Sequence, residues 1–452
     1  MAEMKENKMG VLPVKRLVIS MSLPMMISML VQALYNIVDS IFVARLSESA
    51  LTAVTLAFPM QNLMIAVGSG TGVGINALLS KSLGEKRFDR SDAAANTGLT
   101  LAFFSFAAFL LLGLFAAEPF IRTQTSNEAI IADGAAYLRI VCCLSFGSFF
   151  QITFERLLQS TGQTLYSMIS QLTGAIFNII FDPIMIFGLF GFPKMGVAGA
   201  ALATVLGQMV AAVIGLVLNV KKNTEIHYSL KKVLHPEGWV VRRIYSVGVP
   251  SILMMSIGSV MTYLMNLILV GFSETAAAVF GVYFKLQSFF FMPVFGLNNG
   301  IIPVLAYNYG ARKRDRINEA LRFSVMLALG VMILGMLVFE FFPRQLLSLF
   351  NASDNMVSLG VPALRKIGIH FPLAAVGIVL GSVFQAFSKS IYSLIISLTR
   401  QLIVLIPAAW ILARVTGDVN MVWWSFVIAE VCSVILSVTF FKKVHREIVQ
   451  TL

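Results

Sequence analysis

Residues 17–43 read LVISMSLPMMISMLVQALYNIVDSIFV, an apolar run that contains one acidic side chain, Asp39, and no basic one. A helix of about 20 apolar residues crosses the ~30 Å hydrocarbon core of a bilayer, so this stretch predicts a transmembrane helix. Similar runs recur along the 452-residue chain, in which 58% of residues are apolar and 12% are charged. Soluble globular proteins carry about 25% charged residues. The composition therefore predicts a membrane protein.

Breaking the chain at polar and Gly/Pro clusters predicts six spans in each half of the sequence. They lie near residues 17–43, 52–79, 93–117, 135–158, 166–190, 196–219, 244–271, 277–305, 320–342, 360–386, 391–413 and 420–441. Outer-membrane barrels lack runs of this length. We therefore expect an all-α membrane protein with twelve transmembrane helices.

The basic residues predict how these spans are oriented. If the N-terminus is cytoplasmic, 22 Lys and Arg lie in inside segments and five lie in outside loops. This asymmetry follows the positive-inside rule and explains the formal charge of +12 without a nucleic-acid partner. We expect a multi-pass protein of the prokaryotic plasma (inner) membrane with both termini in the cytoplasm.

The two halves of the chain match each other at a shift of 226 residues. Pro24 falls on Pro250, and the loop GEKRFDR at 84–90 falls on GARKRDR at 310–316. Each copy holds an even number of predicted spans, so both enter the membrane from the same side as parallel repeats. Each proline removes a helix hydrogen bond and permits a bend, so both are hinge candidates.

The repeat also predicts the domain organisation. We expect an N-terminal six-helix lobe at 1–219, a cytoplasmic linker at 220–243 and a C-terminal six-helix lobe at 244–452. In such repeats the binding site lies between the lobes. The residues that we expect in this cleft are Tyr35, Gln61, Asn62, Glu155, Met254 and Lys285. For Glu155 and the neighbouring Arg156, at the cytoplasmic end of span 4, snorkelling to the interface is the preferred interpretation and substrate contact is the alternative.

Two acids, Asp39 and Asp182, lie well inside the predicted N-terminal spans, where ionisable groups usually have a function. Asn36 precedes the first by three residues and Asn178 precedes the second by four, so each acid shares a helix face with an amide. Burial and a second carboxylate both favour the protonated acid, and the same oxygens can ligate Na⁺. The alternative is a cluster that serves only packing.

The second half has no acid at the equivalent positions. The charges that we expect to be buried in its spans are Lys285, Arg400 and Glu430. We expect them to form a structural ion-pair cluster in the C-terminal lobe, with a role in substrate passage as the alternative. His370 is expected to be a hydrogen-bonded core histidine, with a proton relay as the alternative.

Enzyme signatures are missing from the sequence. It contains neither H-E-x-x-H nor G-x-S-x-G, and its three cysteines lie in apolar runs. The glycine-rich stretch at 68–74 lies inside a predicted span and lacks a P-loop lysine, so it predicts close helix packing. We expect a transporter without a cofactor or a structural metal, and with H⁺ or Na⁺ as its coupling ion.

The sequence resembles the multidrug and toxic compound extrusion (MATE) family over nearly its whole length. The resemblance rests on Pro24 fifteen residues before Asp39, on NIIFDP at 178–183, on QSTGQT at 159–164 and on the paired basic loops. It implies H⁺- or Na⁺-driven export of organic cations or drugs. We also expect a monomer. In the branch that couples through its N-terminal lobe, the matching residues form the cation site: Asp39, Asn178, Asp182 and Thr204.

Other protein classes remain as alternatives. A major-facilitator transporter also has twelve spans in two parallel halves, and a lipid-linked oligosaccharide flippase shares the architecture. The flippase needs several cationic residues in its cleft, where this sequence offers Lys285 and Arg400. An intramembrane enzyme needs a nucleophile or metal constellation, and a channel would show uncoupled flux.

Overall fold

The computed structural model describes residues 6–350 and 352–452, and the described chain is helical without β-strands. Ten helices are long and apolar enough to cross a membrane, and two bent helix pairs bring the number of spans to twelve. We number the spans as follows: α1 Val14–Ala44, α2 Glu48–Gly84, α3 Phe88–Phe115, α4 Glu128–Cys143 with Phe146–Ser160, α5 Thr164–Phe187, α6 Val197–Lys222, α7 Gly238–Val270, α8 Glu274–Gly310, α9 Arg314–Phe341, α10 Asp354–Gly368 with Phe371–Ala386, α11 Ser390–Thr416 and α12 Val419–Val449. The twelve-helix prediction is confirmed.

The fourth and tenth spans are each built from two helix segments. α4 bends by 46° between Cys143 and Phe146, and α10 bends by 47° between Gly368 and Phe371. The two breaks lie at equivalent positions of the 226-residue repeat. The break in α4 falls inside apolar sequence, whereas the second segment of α10 has Pro372 in its first turn, where proline is a local signal of a helix start.

The repeat is also visible in the residues that cap the N-termini of equivalent helices. The hydroxyl of Ser47 accepts a hydrogen bond from the backbone N–H of Ala50, and the hydroxyl of Ser273 accepts one from that of Ala276. These N-caps satisfy backbone donors that have no partner within the helix. α2 and α8, which they start, both contain 37 residues. The second copy therefore reproduces the local signals of the first.

Glycines set the closest approach between the two halves. A Cβ on Gly74 would overlap the backbone oxygen of Ile244, so α2 and α7 cross with their backbones nearly touching. Near the ends of α2 and α8, a Cβ on Gly84 would overlap the carbonyl of Tyr307, and one on Gly310 would overlap that of Lys81. This exchange follows the 226-residue shift, as a pseudo-two-fold axis between parallel repeats requires. The predicted close packing of the glycine-rich stretch is confirmed.

The lobes meet at one end and separate at the other. In α2 every residue from 70 to 80 is buried, whereas most residues from 51 to 63 are half-buried or exposed. In α8 every residue from 300 to 308 is buried. The closed end carries the loops at 85–87, 223–237 and 311–313, and we call it the basic face. The cleft between the lobes therefore opens on the face opposite the basic face.

The N-terminal segment bridges the lobes at the basic face. The amide of Asn7 donates to Glu225 at 2.6 Å and to the carbonyl of Thr161 at 2.9 Å, both on the side of the N-terminal lobe. On the other side, Arg316 donates to the carbonyl of Leu12 at 2.7 Å, and Lys313 contacts Glu6 at 2.6 Å. Burial raises the pKa of Glu225, although the hydrogen bond from Asn7 opposes the shift. These contacts hold the closed end of the cleft together.

Candidate functional site

The site centres on two acids that the fold brings together inside the N-terminal lobe. Asp39 lies in the second half of α1 and Asp182 lies in α5, and these two helices pack along each other. Their carboxyl groups are within hydrogen-bonding reach of one another. Asp182 is fully buried, and neither of its side-chain oxygens has a hydrogen-bond donor among the described residues. One side-chain oxygen of Asp39 is also buried without a hydrogen-bond donor among the described residues.

Of the amide and hydroxyl side chains predicted for this site, two lie together near Asp182 and one lies apart. Asn178 is buried in α5 and donates to the hydroxyl of Thr204 in α6, at 3.3 Å. Asn178 lies one helical turn before Asp182, so the two side chains share a face of α5. Asn36, in contrast, is exposed, and its side chain makes no hydrogen bond within residues 6–350 and 352–452. The structure thus groups Asn178 and Thr204 with Asp182 and leaves Asn36 outside the group.

Two tyrosines stand next to the acids. Tyr35 lies one turn before Asp39 on α1, and Tyr137 is buried in α4. The hydroxyl of Tyr137 donates to Gln61 of α2 at 3.3 Å. Sequence reasoning selected Tyr35, which lies one turn from Asp39, and Gln61. It missed Tyr137, which lies far from both acids in the sequence.

The other cleft candidates lie at different depths. Asn62 donates to Ser259 of the C-terminal lobe at 3.3 Å, so it joins the two cleft walls, and Met254 is half-buried on α7. Glu155 is only 8% exposed and accepts a hydrogen bond from Gln151, so its carboxylate lies inside the protein. Next to it, Arg156 donates to Asn299 of the C-terminal lobe at 3.2 Å. Sequence reasoning missed this interlobe contact.

The charged cluster of the C-terminal lobe contains different members from those predicted. A nitrogen of Arg400 lies 3.2 Å from Glu430, and Nδ1 of His370 lies 3.5 Å from the same carboxylate oxygen. Tyr283 lies 3.1 Å from Nε2 of His370, which confirms a hydrogen-bonded core histidine. Lys285 is exposed and takes no part, so its assignment to this cluster is wrong. The spacing of charges along separate helices does not reveal which of them meet.

The two prolines lie within unbroken helices. α1 runs through Pro24 and α7 runs through Pro250 without interruption. Pro24 is buried next to the crossing with α8, and fifteen residues separate it from Asp39 on the same helix. Any bend at Pro24 would therefore change the position of Asp39 relative to α5.

Two repeated six-helix units with a cleft between them, and a buried acid pair within one unit, define the class of the protein. This is the architecture of a secondary transporter, whose binding site lies at the interface of its repeats. The MatE family model matches residues 24–184 and 250–411, which is one match in each repeat. The chain belongs to the MATE family of membrane transporters, whose members export multiple drugs and are not enzymes.

Individual relatives agree with this assignment over nearly their full length. Multidrug export protein MepA of Staphylococcus saprophyticus is 25% identical over 413 residues, which cover 91% of this chain and 90% of the relative. The outward-facing conformation of a multidrug resistance MATE transporter superposes with a TM-score of 0.93 at 25% identity, and covers 100% of both chains. The crystal structure of a MATE in the straight conformation superposes with a TM-score of 0.93 at 25% identity. The match covers 99% of this chain and 100% of the other. The family match replaces the major-facilitator and flippase alternatives.

Proposed function

We propose that the protein exports amphipathic organic compounds in exchange for H⁺ or Na⁺, which binds at Asp39 and Asp182. The observation that carries this proposal is the contact between two acids in a lipid-embedded lobe, with three of their oxygens lacking a protein donor among the described residues. Two carboxylates in contact repel each other, so a proton or a small cation between them lowers their free energy.

The surroundings of the pair support an ion site. Asn178 and Thr204 add one amide oxygen and one hydroxyl oxygen close to Asp182, and hard cations such as Na⁺ prefer oxygen ligands. No basic side chain forms an ion pair with either acid among the described residues. The acids are therefore available to bind a cation from outside the protein.

Coupling requires that the ion and the drug favour different packings of the N-terminal lobe. A ligand shifts a conformational equilibrium only through its different affinities for the two states. Because Asp39 lies on the helix that contains Pro24, neutralising the pair would change which geometry of α1 is preferred against α5. We propose that this change alters the cleft wall and releases the drug. Both cleft walls come from one chain, so a monomer suffices.

The test is export of a fluorescent organic dye by purified protein in liposomes, driven in turn by a pH gradient and by a Na⁺ gradient. Asp39→Asn and Asp182→Asn should each abolish gradient-driven export and leave the protein folded, because Asn keeps the shape but cannot exchange a proton. Asp89→Asn is the matched control, since Asp89 is exposed at the basic face. Normal gradient-driven export by both site variants would refute the proposed coupling site.

A further inference from the structure

Lys285 has no partner that explains its presence in a membrane span. It lies in α8, it is exposed, and no acidic oxygen lies within 4.0 Å of its ammonium nitrogen among the described residues. It also donates no hydrogen bond within that part of the chain. An ionisable group in a membrane span is costly unless it faces a partner or water, and such groups usually mark a functional site.

The helix register points Lys285 at the cleft. Gly296 lies eleven residues later on α8, which continues through Pro293 without a break, so the ideal helix register puts it within about 20° of Lys285 around the axis. A Cβ on Gly296 would collide with the backbone of Met25 and Met26 on α1, so this face of α8 points at the N-terminal lobe. At Gly296 the lobes touch, whereas Lys285, about 16 Å further along the helix, is exposed, and most α2 residues from 51 to 63 on the facing lobe are half-buried or exposed. The ammonium group therefore projects into the open part of the cleft.

The residues on the same face of α8 are apolar. Phe289 and Met292 lie within about 40° of Lys285 around the axis, between it and Gly296. Phe289 is 37% exposed and Met292 is half-buried. One wall of the cleft thus presents a single cation above an aromatic ring and a flexible thioether, a surface that suits an apolar molecule with one acidic group.

Lys285 is the basic residue of this cleft wall, and other charges of the wall are absent or distant. α7, the other helix of the wall, has no charged residue between 244 and 270. Glu274 lies at the outer end of α8, about 16 Å along the helix from Lys285. On the opposite wall, counting eleven residues up α1 from Met26 reaches Ile37, which is 39% exposed and two residues from Asp39. A bound compound at this level would have the acid pair's lobe on one side and the ammonium group on the other.

We propose that Lys285 is a specificity-determining residue that binds an acidic group of the exported compound. The preferred substrates are then amphipathic zwitterions or anions with a carboxylate or similar group, rather than simple organic cations. This inference rests on the proposed export function and narrows its substrate class. It assigns to Lys285 a direct contact with substrate, in keeping with its place among the expected cleft residues and not with the expected ion-pair cluster.

A matched pair of dyes tests the assignment. A rhodamine methyl ester is a permanent cation, and the same rhodamine with the ester hydrolysed carries a free carboxylate. Equilibrium binding of each dye to purified protein, measured by fluorescence anisotropy, gives the ratio of the two dissociation constants. The variants are Lys285→Gln, which removes the charge, and Lys285→Arg, which keeps it. Lys194→Gln is the control, because Lys194 is an exposed loop residue far along the chain from α8.

The wild type should prefer the free acid, and Lys285→Gln should reduce that preference about tenfold, the size expected for the loss of one charged hydrogen bond. Lys285→Arg and Lys194→Gln should retain it. An unchanged ratio in Lys285→Gln overturns the proposal, as does a wild type that binds only the ester or neither dye. A failure of the coupling proposal would appear elsewhere, as normal gradient-driven export by Asp39→Asn, and would leave this dye ratio intact.

Discussion

Both lobes bury acid side chains within the membrane, but among the described residues only the C-terminal lobe places basic side chains in contact with them. In the C-terminal lobe, Glu430 is contacted by Arg400 and by His370, so its negative charge is compensated within the protein. In the N-terminal lobe, Asp182 has only a second acid, Asp39, and no basic partner among the described residues. A compensated acid stabilises a structure, whereas an uncompensated pair can bind and release a cation. The repeat supplied two similar scaffolds, and one of them carries the exchangeable charge.

The largest effect on stability is expected from breaking the compensated pair. Arg400→Met leaves Glu430 with His370 alone and should lower the free energy of unfolding by roughly 2–3 kcal/mol. Removing one partner of a fully buried pair costs about 3–5 kcal/mol, and Arg400 is partly exposed. Thermal unfolding measures the loss. Glu430→Gln should cost less, because Gln can still bond to both partners, and Arg344→Met is an exposed control.

The same variant can contradict the comparison between the lobes. If Arg400→Met folds with normal stability but loses its response to a pH gradient, the C-terminal cluster takes part in coupling. The two acid sites would then be less different than their surroundings indicate.

A smaller effect on stability is expected at the crossing of α2 and α7, where the two lobes touch. Gly74→Ala places a methyl group against the backbone oxygen of Ile244, and overpacking of this kind costs about 1–2 kcal/mol. In contrast, Gly330→Ala lies in α9 with open space around it and should stabilise the helix by about 0.5–1 kcal/mol. Parallel melting curves measure both. A Gly74→Ala protein as stable as Gly330→Ala would show that the lobes do not need this close crossing.

The smallest effect is expected at the basic face. The ammonium of Lys313 holds the pKa of Glu6 below its usual value. A lowered folded-state pKa adds stability that is present at neutral pH and is lost as pH falls through that lowered value. Glu6→Gln should therefore be less stable than wild type at pH 7 by about 0.5 kcal/mol or less, since the pair is exposed. Below about pH 4, near the usual pKa of Glu, the difference should shrink. A difference independent of pH would exclude the ion pair as its cause.

Sequence reasoning recovered the twelve spans and the repeat because both depend on local composition and on a fixed shift. It also selected Asp39 and Asp182, since acids are rare in apolar runs and can be found by inspection. It failed where two distant helices must be known to meet. His370 was not placed beside Glu430, Lys285 was wrongly grouped with Arg400, and Tyr137 was missed. The bend of α4 was not predicted because its apolar sequence carries no proline or glycine pair at the break, whereas Pro372 beside the bend of α10 is a local signal that hydropathy alone does not use.

The measurement that tests the central claim most directly is the release of protons by purified protein when drug is added, recorded in weakly buffered detergent solution with and without Na⁺. If the uncompensated pair is the coupling site, the wild type should release protons on binding drug, or Na⁺ should displace protons without drug. Asp39→Asn and Asp182→Asn should do neither, while Glu430→Gln should behave like wild type. Proton release that survives in both Asn variants, or that disappears in Glu430→Gln, would place the coupling site in the C-terminal lobe and contradict the account.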